Sequence, residues 1–134
     1  EQSLDQLQGE CVLREIVLRE IVASSLRHFD GNRYVVTDFV VMPNHVHILA
    51  AFDSPERMLA QCESWKRFTA TRLNRLLGRR GRFWQNDAFD HLVRGSAHFD
   101  QFRKYIADNP VSAGLKDDEF THYSTGIVMS DTAK

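Results

Sequence analysis

The sequence predicts one α+β domain in which helices pack on an antiparallel sheet. Its 134 residues suit a single domain of ordinary size. Hydrophobic residues make up 43% of the chain and charged residues 26%, which is close to the average for globular proteins. The hydrophobic periodicity gives the order helix, strand, strand, helix, strand, helix, which is typical of helices layered on a sheet.

The first three elements follow from the spacing of apolar residues. Residues 14–29 predict a helix, with apolar residues at steps of four, four and three: Leu18, Val22, Leu26 and Phe29. Residues 33–41 (RYVVTDFVV) and 45–52 (HVHILAAF) predict two strands, since both are rich in β-branched and aromatic residues. Pro43 separates them because proline donates no ladder hydrogen bond. We expect an antiparallel pair.

A second helix is predicted up to Leu77, with Ser54 as its N-cap, Pro55 at its first position and Gly78 at its end. Residues at three- and four-residue steps are expected to hold it to the sheet: Met58, Cys62, Trp65, Thr69, Leu73 and Leu76.

Residues 83–94 predict the last strand, and a third helix is predicted to begin at Ser96. Its expected buried stripe is Phe99, Phe102 and Ile106. We expect this helix to end at Asn109, because the residue before a proline is disfavoured in the α region, and residues 110–114 to form one further helical turn.

We assign residues 1–134 to one domain. A ferredoxin-like plan begins with a strand, and residues 1–12 contain no convincing one, so the first strand is expected to be absent. That absence would leave a sheet edge to be covered. The pattern is weak from Asp117 onward, so the tail after about residue 123 is expected to be loosely held.

Several protein classes are excluded. Cys11 and Cys62 form no CxxC pair, which excludes a disulfide scaffold and a cysteine zinc finger and favours reduced thiols in the cytosol. No apolar run reaches the roughly 18 residues of a membrane span. The acidic residues 1–10 are not typical of a signal peptide.

Positive charge is concentrated in residues 65–82 (WKRFTATRLNRLLGRRGR), called here the basic segment. The whole chain has a net charge of −1, yet this segment holds seven basic residues and no acidic one. The charge alone fits a solvated helix face as well as a polyanion partner. The interleaved aromatic residues Trp65, Phe68 and Phe83 favour nucleic acid. The candidate DNA-binding residues are Lys66, Arg67, Arg72, Arg75, Arg79, Arg80 and Arg82.

His45 and His47 are the most distinctive local pair. Residues two apart on a strand face the same side, so the two imidazoles lie together. Adjacent imidazoles suit a divalent metal, although two ligands do not complete a site. The spacing alone is equally compatible with two surface histidines on a half-exposed strand.

Tyr105 and Asn109 are four residues apart on the third predicted helix and therefore share a face. A phenol can attack phosphorus and an amide oxygen can ligate a hard cation. Two simpler roles stay open: Tyr105 as a boundary aromatic residue, and Asn109 as a cap for the turn at Pro110.

Five segments together resemble the REP-associated tyrosine transposases, which are HUH-type, single-tyrosine transposases of bacterial insertion sequences. They are VVMPNHVHILA (40–50), SWKRFTATRLNRLLG (64–78), GRFWQ (81–85), FDHLVR (89–94) and YIADNPVSAGL (105–115). The resemblance runs from about Gly9 to Leu115, and the two motifs MPNHVH and YIxxNPVxAGL are specific in combination. It implies an HUH-type, ferredoxin-like fold.

The resemblance also implies a role for each matching residue. His45 and His47 match the histidines that hold Mg²⁺ or Mn²⁺, and Asn109 matches a third ligand. Tyr105 matches the catalytic tyrosine, which becomes joined to the DNA 5′ end. Because an ordinary phenol has a pKa near 10, the cation and basic residues such as Arg103 or Lys104 would have to favour the phenolate.

The implied function is metal-dependent cleavage and strand transfer of single-stranded DNA near palindromic REP-like hairpins. The partner would be hairpin DNA in the bacterial cytoplasm, at the nucleoid, bound by a monomer or homodimer. A catalytically weak or domesticated hairpin-binding module is the first alternative, and a phosphodiesterase that uses activated water is the second. Two departures bear on activity: the missing N-terminal strand, and Ala88 where relatives often carry tyrosine.

Overall fold

The computed structural model describes residues 11–85, 89–90 and 99–126. In chain order they form α1 (Ile16–Arg27), β1 (Val35–Val41), β2 (Val46–Ala51), α2 (Pro55–Leu77), β3 (Phe89–Asp90), α3 (Phe99–Ser112) and β4 (Thr121–Ser124). Two 3₁₀ turns, Val12–Arg14 and Asp117–Glu119, precede α1 and β4. Residues 1–10, Ser96 and Ala88 lie outside the described residues, and so do the predictions that rest on them.

The predicted α+β fold with helices packed on an antiparallel sheet is confirmed. The strand order is β3-β2-β1-β4, and β1 pairs antiparallel with both β2 and β4. Strand β3, of which Phe89 and Asp90 are described, differs from the predicted antiparallel arrangement because it pairs parallel with β2. The predicted strand began at Phe83, whereas residues 83–85 lie outside any strand and bury Phe83 and Trp84 in the core.

Strand β4 was not predicted from the sequence. Its residues pair with Val41 to Asp38 of β1, and the Tyr123 ring stacks on Phe39 with centroids 4.9 Å apart. The strand has four residues and alternates between half-buried and exposed positions. So short an alternation carries little periodic signal, which is why the sequence pattern is weak there.

Helices cover both faces of the sheet. On one side, called the α1/α2 face, both helices pack against the apolar residues of β1 and β2 in the larger core cluster. On the other side, called the α3 face, Phe99 and Ile106 pack against Val40, Met42 and Leu49. Because both faces are covered, β1 is buried at six of its seven positions instead of alternating.

A buried arginine joins α1 to the C-terminal part of the sheet. Arg19 is 1% exposed. Its guanidinium donates to the carbonyl oxygens of Leu13, Arg14 and Asp118 at 3.1, 2.7 and 3.0 Å. It also donates to Thr121 Oγ1 at 3.0 Å. One side chain therefore ties α1 to both 3₁₀ turns and to β4.

The predicted ends of α2 are confirmed. Ser54 Oγ accepts a hydrogen bond from the Arg57 backbone N–H at 3.1 Å, and Pro55 is the first helical residue. Gly78 ends the helix in the left-handed region, at φ 68°, where glycine avoids the steric cost of a side chain.

The buried stripe of α2 follows steps of four: Gln61, Trp65, Thr69 and Leu73. The prediction that Leu76 holds the helix to the sheet is therefore wrong. Leu76 is 58% exposed, because it lies one position before the next step of that stripe. Thr69 Oγ1 also accepts a hydrogen bond from Trp84 Nε1 at 2.8 Å, which fixes the chain that leaves α2.

The helix α3 does not end at Asn109 as predicted but continues through Pro110 to Ser112. A proline there removes one helical hydrogen bond, and the burial of its ring against the rest of the protein offsets that loss. Phe102 was predicted to be buried but is 40% exposed. The buried side of α3 runs instead through Phe99, Ile106 and Pro110.

Candidate active site and nucleic-acid interface

Two imidazoles meet at the start of β2. His45 immediately precedes the strand and His47 is its second residue. Their Nε2 atoms lie 3.0 Å apart, and their rings meet edge to face with centroids 4.6 Å apart. His47 is buried, at 7% exposure, and His45 is half-buried. The pair is therefore not a pair of free surface histidines.

The turn between β1 and β2 orients His45. The Met42 backbone N–H donates to the His45 carbonyl at 2.8 Å, which closes the turn. His45 Nδ1 lies 2.8 Å from the side-chain oxygen of Asn44. Because an amide oxygen only accepts, the proton belongs on Nδ1, and Nε2 presents its lone pair towards His47.

Tyr105 reaches the same place from α3. Its ring meets that of His47 at an interplanar angle of 76°, with centroids 5.2 Å apart. Tyr105 is 49% exposed, so a substrate can approach its phenol from solvent. The fold thus brings the two histidines and the tyrosine together on the α3 face, although they are far apart in the sequence.

A buried ion pair ties α3 to the centre of the sheet. Arg103 Nε donates to both carboxylate oxygens of Asp38, at 2.9 and 3.1 Å, and the Asp38 side chain is fully buried. The Arg103 guanidinium also lies over the Phe99 ring, 4.6 Å from its centroid. Since Arg103 is two residues before Tyr105, this pair helps to fix where α3 places the tyrosine. The sequence signal for this pair is a lone aspartate inside an apolar strand.

The two cations proposed to favour the Tyr105 phenolate are both engaged by carboxylates. Arg103 binds Asp38 as described. Lys104 points to solvent and donates to Asp108 at 2.8 Å, and this hydrogen bond raises the pKa of the Lys104 ammonium.

Asn109 lies one helical turn beyond Tyr105 and is half-buried. Because α3 continues past it, Asn109 does not cap a helix end. Within residues 11–85, 89–90 and 99–126, no group of three His, Cys, Asp or Glu side chains could hold a metal ion. A third ligand from those residues would therefore be of another type, such as the Asn109 amide oxygen.

The separation of the two histidines fits a shared metal ion. Two ligand atoms about 2.1 Å from one ion and at a right angle to each other lie roughly 3 Å apart. The Nε2 atoms of His45 and His47 are 3.0 Å apart. The donors present thus have suitable spacing for two adjacent coordination positions.

A family model described as IS200-like transposase matches residues 10–109. The chain belongs to the IS200-like transposase family. Searches of curated proteins and of solved structures find no match. The matched range includes both histidines, Tyr105, Asn109 and the whole basic segment. Membership of this family makes DNA the partner, and DNA cleavage with strand transfer the general activity.

In this IS200-like transposase the basic segment is the C-terminal half of α2 and the loop that follows it. Six of its seven cations are exposed: Arg67, Arg72, Arg75, Arg79, Arg80 and Arg82. Lys66 is partly buried and lies 3.7 Å from Glu63. The Asn74 amide donates to the Gly81 carbonyl at 2.8 Å, which holds the loop against the end of α2. Of the three aromatic residues in or beside this segment, Trp65 and Phe83 are buried, whereas Phe68 is 49% exposed.

The basic segment and the histidine–tyrosine site lie at the same end of the sheet but on opposite faces. The Leu13 N–H donates to the Pro43 carbonyl at 3.0 Å, so α1 begins beside the turn that carries His45. Strand β2 starts at that turn and ends at Ala51, at the far end of the sheet, and α2 begins there at Pro55. Because α2 packs against the sheet, it runs back along it. The C-terminal end of α2 therefore points towards that turn.

Among the residues that the structure describes, no helix combines the length and the apolar character needed to cross a membrane.

Proposed function

We propose that this IS200-like transposase cleaves single-stranded DNA beside REP-like hairpins and transfers the strand through a 5′-phosphotyrosine intermediate. The observation that carries the proposal is the contact between Tyr105 and His47, whose Nε2 lies 3.0 Å from that of His45. A nucleophile and a candidate pair of metal ligands thus share one accessible site. The reaction would take place in the bacterial cytoplasm, on nucleoid DNA.

His45, His47 and Asn109 would hold the divalent cation, Mg²⁺ or Mn²⁺. When bound, such an ion polarises a phosphate oxygen and offsets the negative charge that develops on the phosphoryl group. The hydrogen bond between Nδ1 and Asn44 supports this role, because it places the proton on Nδ1 and fixes the orientation of the ring.

Tyr105 would supply the nucleophile. Its phenol oxygen forms a bond to phosphorus, the bond from phosphorus to the 3′ oxygen breaks, and the phenolic proton passes to solvent while the departing oxygen takes one up. The product is a free 3′-hydroxyl and a 5′-phosphotyrosine. Because the phosphodiester energy is kept in that linkage, a second 3′-hydroxyl can attack it and release Tyr105.

The metal assignment predicts that His45→Ala loses DNA cleavage but keeps its fold, because His45 is half-buried and adds little to the core. A hairpin oligonucleotide with single-stranded flanks and a 3′ label is incubated with Mn²⁺ and resolved on a denaturing gel. Wild type should give a labelled protein adduct that EDTA prevents. We expect His45→Ala and His47→Gln to lose adduct by more than the roughly 10- to 100-fold that an outer-shell change costs.

The matched control is His122→Ala, since His122 is exposed on β4 and separated from His47 by β1. It should form adduct as wild type does. Undiminished adduct in both His45→Ala and His47→Gln would overturn the metal assignment. Hairpin binding by wild type without any cleavage would favour the binding-module alternative.

The exposed arginines of the loop after α2 predict a salt effect. Replacing Arg79, Arg80 and Arg82 with alanine should weaken binding to all DNA sequences about equally, because phosphate contacts carry no sequence information. The slope of log affinity against log salt should fall by roughly 0.7 per lost contact on single strands and roughly 0.9 on duplex. Adduct formation at saturating DNA should persist. Arg57→Ala, at the opposite end of α2, is the control. An unchanged slope in the triple variant would show that the loop is a solvated surface that does not contact DNA phosphates.

A further inference from the structure

A groove of about 640 Å³ lies between α1 and α2 on the face opposite the histidine–tyrosine site. Its aromatic lining residues are Phe29, Trp65 and Phe68. Hydroxyl and amide groups of Ser24, Ser64 and Gln61 also line it. Both the volume and this mixture of aromatic and polar groups are typical of a small-ligand site.

Three of the residues that line the groove belong to the basic segment: Trp65, Phe68 and Arg72. Phe68 is 49% exposed, and the Arg72 guanidinium lies 5.7 Å from the centroid of its ring. An exposed ring beside an arginine is an arrangement that stacks a base while the cation meets the backbone phosphate. The carboxylate of Glu20, also in the lining, accepts a hydrogen bond from the Thr121 hydroxyl of β4 at 3.5 Å.

We propose that this groove holds one unpaired nucleotide of the bound DNA, with its base stacked on Phe68 and its phosphate beside Arg72. The occupant follows from charge: Arg72 belongs to a run of seven basic residues without an acidic one, and a single strand offers both a phosphate and an exposed base. Ser24, Ser64 and Gln61 supply hydrogen-bond donors and acceptors to the base edge. The inference rests on the proposed function insofar as the ligand is single-stranded DNA.

The test compares Phe68→Ala with Leu76→Ala in a Tyr105→Phe background, so that binding is measured without cleavage. Both residues are exposed apolar residues of α2, and Leu76 is not among those lining the groove. The ligand is a fluorescent hairpin oligonucleotide with single-stranded flanks. We expect Phe68→Ala to weaken binding roughly 5- to 150-fold, the range that stacking of one base supplies. Leu76→Ala should bind as the parent does, and Phe68→Trp should keep the affinity.

Two further measurements separate stacking from phosphate binding. The slope of log affinity against log salt should stay unchanged in Phe68→Ala. In Arg72→Ala it should fall by roughly 0.7, the value for the loss of one phosphate contact on a single strand. Abasic sites are then placed one at a time along the flanks. One position should weaken binding by the parent protein and have no further effect on Phe68→Ala, because the same stack is lost in both cases.

Equal affinities of Phe68→Ala and Leu76→Ala, or abasic penalties that are the same in both proteins at every position, would overturn the nucleotide site. These results are independent of cleavage. A wild-type protein that forms the adduct while Phe68→Ala binds normally refutes only the groove. Phe68-dependent stacking in a protein that never forms an adduct refutes only the cleavage mechanism. A wild type that binds no single-stranded DNA refutes both.

Discussion

Replacing Tyr105 with phenylalanine should eliminate the covalent DNA adduct while the fold and DNA binding persist. The substitution removes one oxygen atom, the proposed nucleophile, and keeps the ring that contacts His47. Because Tyr105 is half-exposed, the loss of its hydroxyl costs little stability. We expect adduct formation to fall on the order of 10⁴-fold or more, as when other enzymes lose a nucleophile. The measurement is the denaturing gel with 3′-labelled DNA, beside anisotropy for binding.

Tyr123→Phe is the matched control for Tyr105→Phe. Tyr123 is also a partly exposed tyrosine, but it stacks on Phe39 on the α1/α2 face, away from the histidines. It should form adduct normally. An adduct that persists in Tyr105→Phe would assign the nucleophile to another residue. Cleavage that persists without any adduct would favour activated water, the phosphodiesterase alternative.

Local signals predicted the helices well where a few neighbouring residues decide the outcome. Ser54, Pro55 and Gly78 fix the ends of α2 through backbone geometry, and the structure has those ends. The sequence-based prediction was wrong where contacts between residues far apart in the sequence determine the structure. Pro110 lies inside α3 with its ring buried, and β4 pairs with β1, a strand far earlier in the sequence.

The sequence predicted which residues form the candidate site, but it did not predict which elements pack around them. Periodicity placed His45 and His47 on one side of a strand and Tyr105 on a helix, and resemblance to known transposases supplied their joint role. No local pattern says which face of a sheet a later helix covers, so the packing of α3 over His47 came only from the structure. For the same reason the Asp38–Arg103 pair was missed, since its partners are 65 positions apart.

Arg19→Met should destabilise the protein more than any other arginine substitution in α1. The side chain is 1% exposed and donates to three carbonyl oxygens and the Thr121 hydroxyl. Methionine fills part of the volume but donates nothing. A buried acceptor left without a partner costs about 1–3 kcal/mol. The bond to the Leu13 carbonyl is buried and the other three are partly buried, so the free energy of unfolding should fall by about 3 kcal/mol. Urea unfolding followed by circular dichroism measures it.

The control for Arg19→Met is Arg27→Met in the last turn of the same helix. Arg27 is exposed, and its guanidinium lies over the Tyr123 ring, 4.5 Å from the centroid. That cation–π contact is worth about 0.5–1 kcal/mol at an exposed site, so its loss should be small. If Arg19→Met no longer folds at 25 °C, that outcome also supports the prediction, because it is the largest destabilisation that the experiment can show. If both methionine variants unfold at the same urea concentration, Arg19 does not tie β4 and the 3₁₀ turns to α1, and β4 must depend on its pairing with β1 alone.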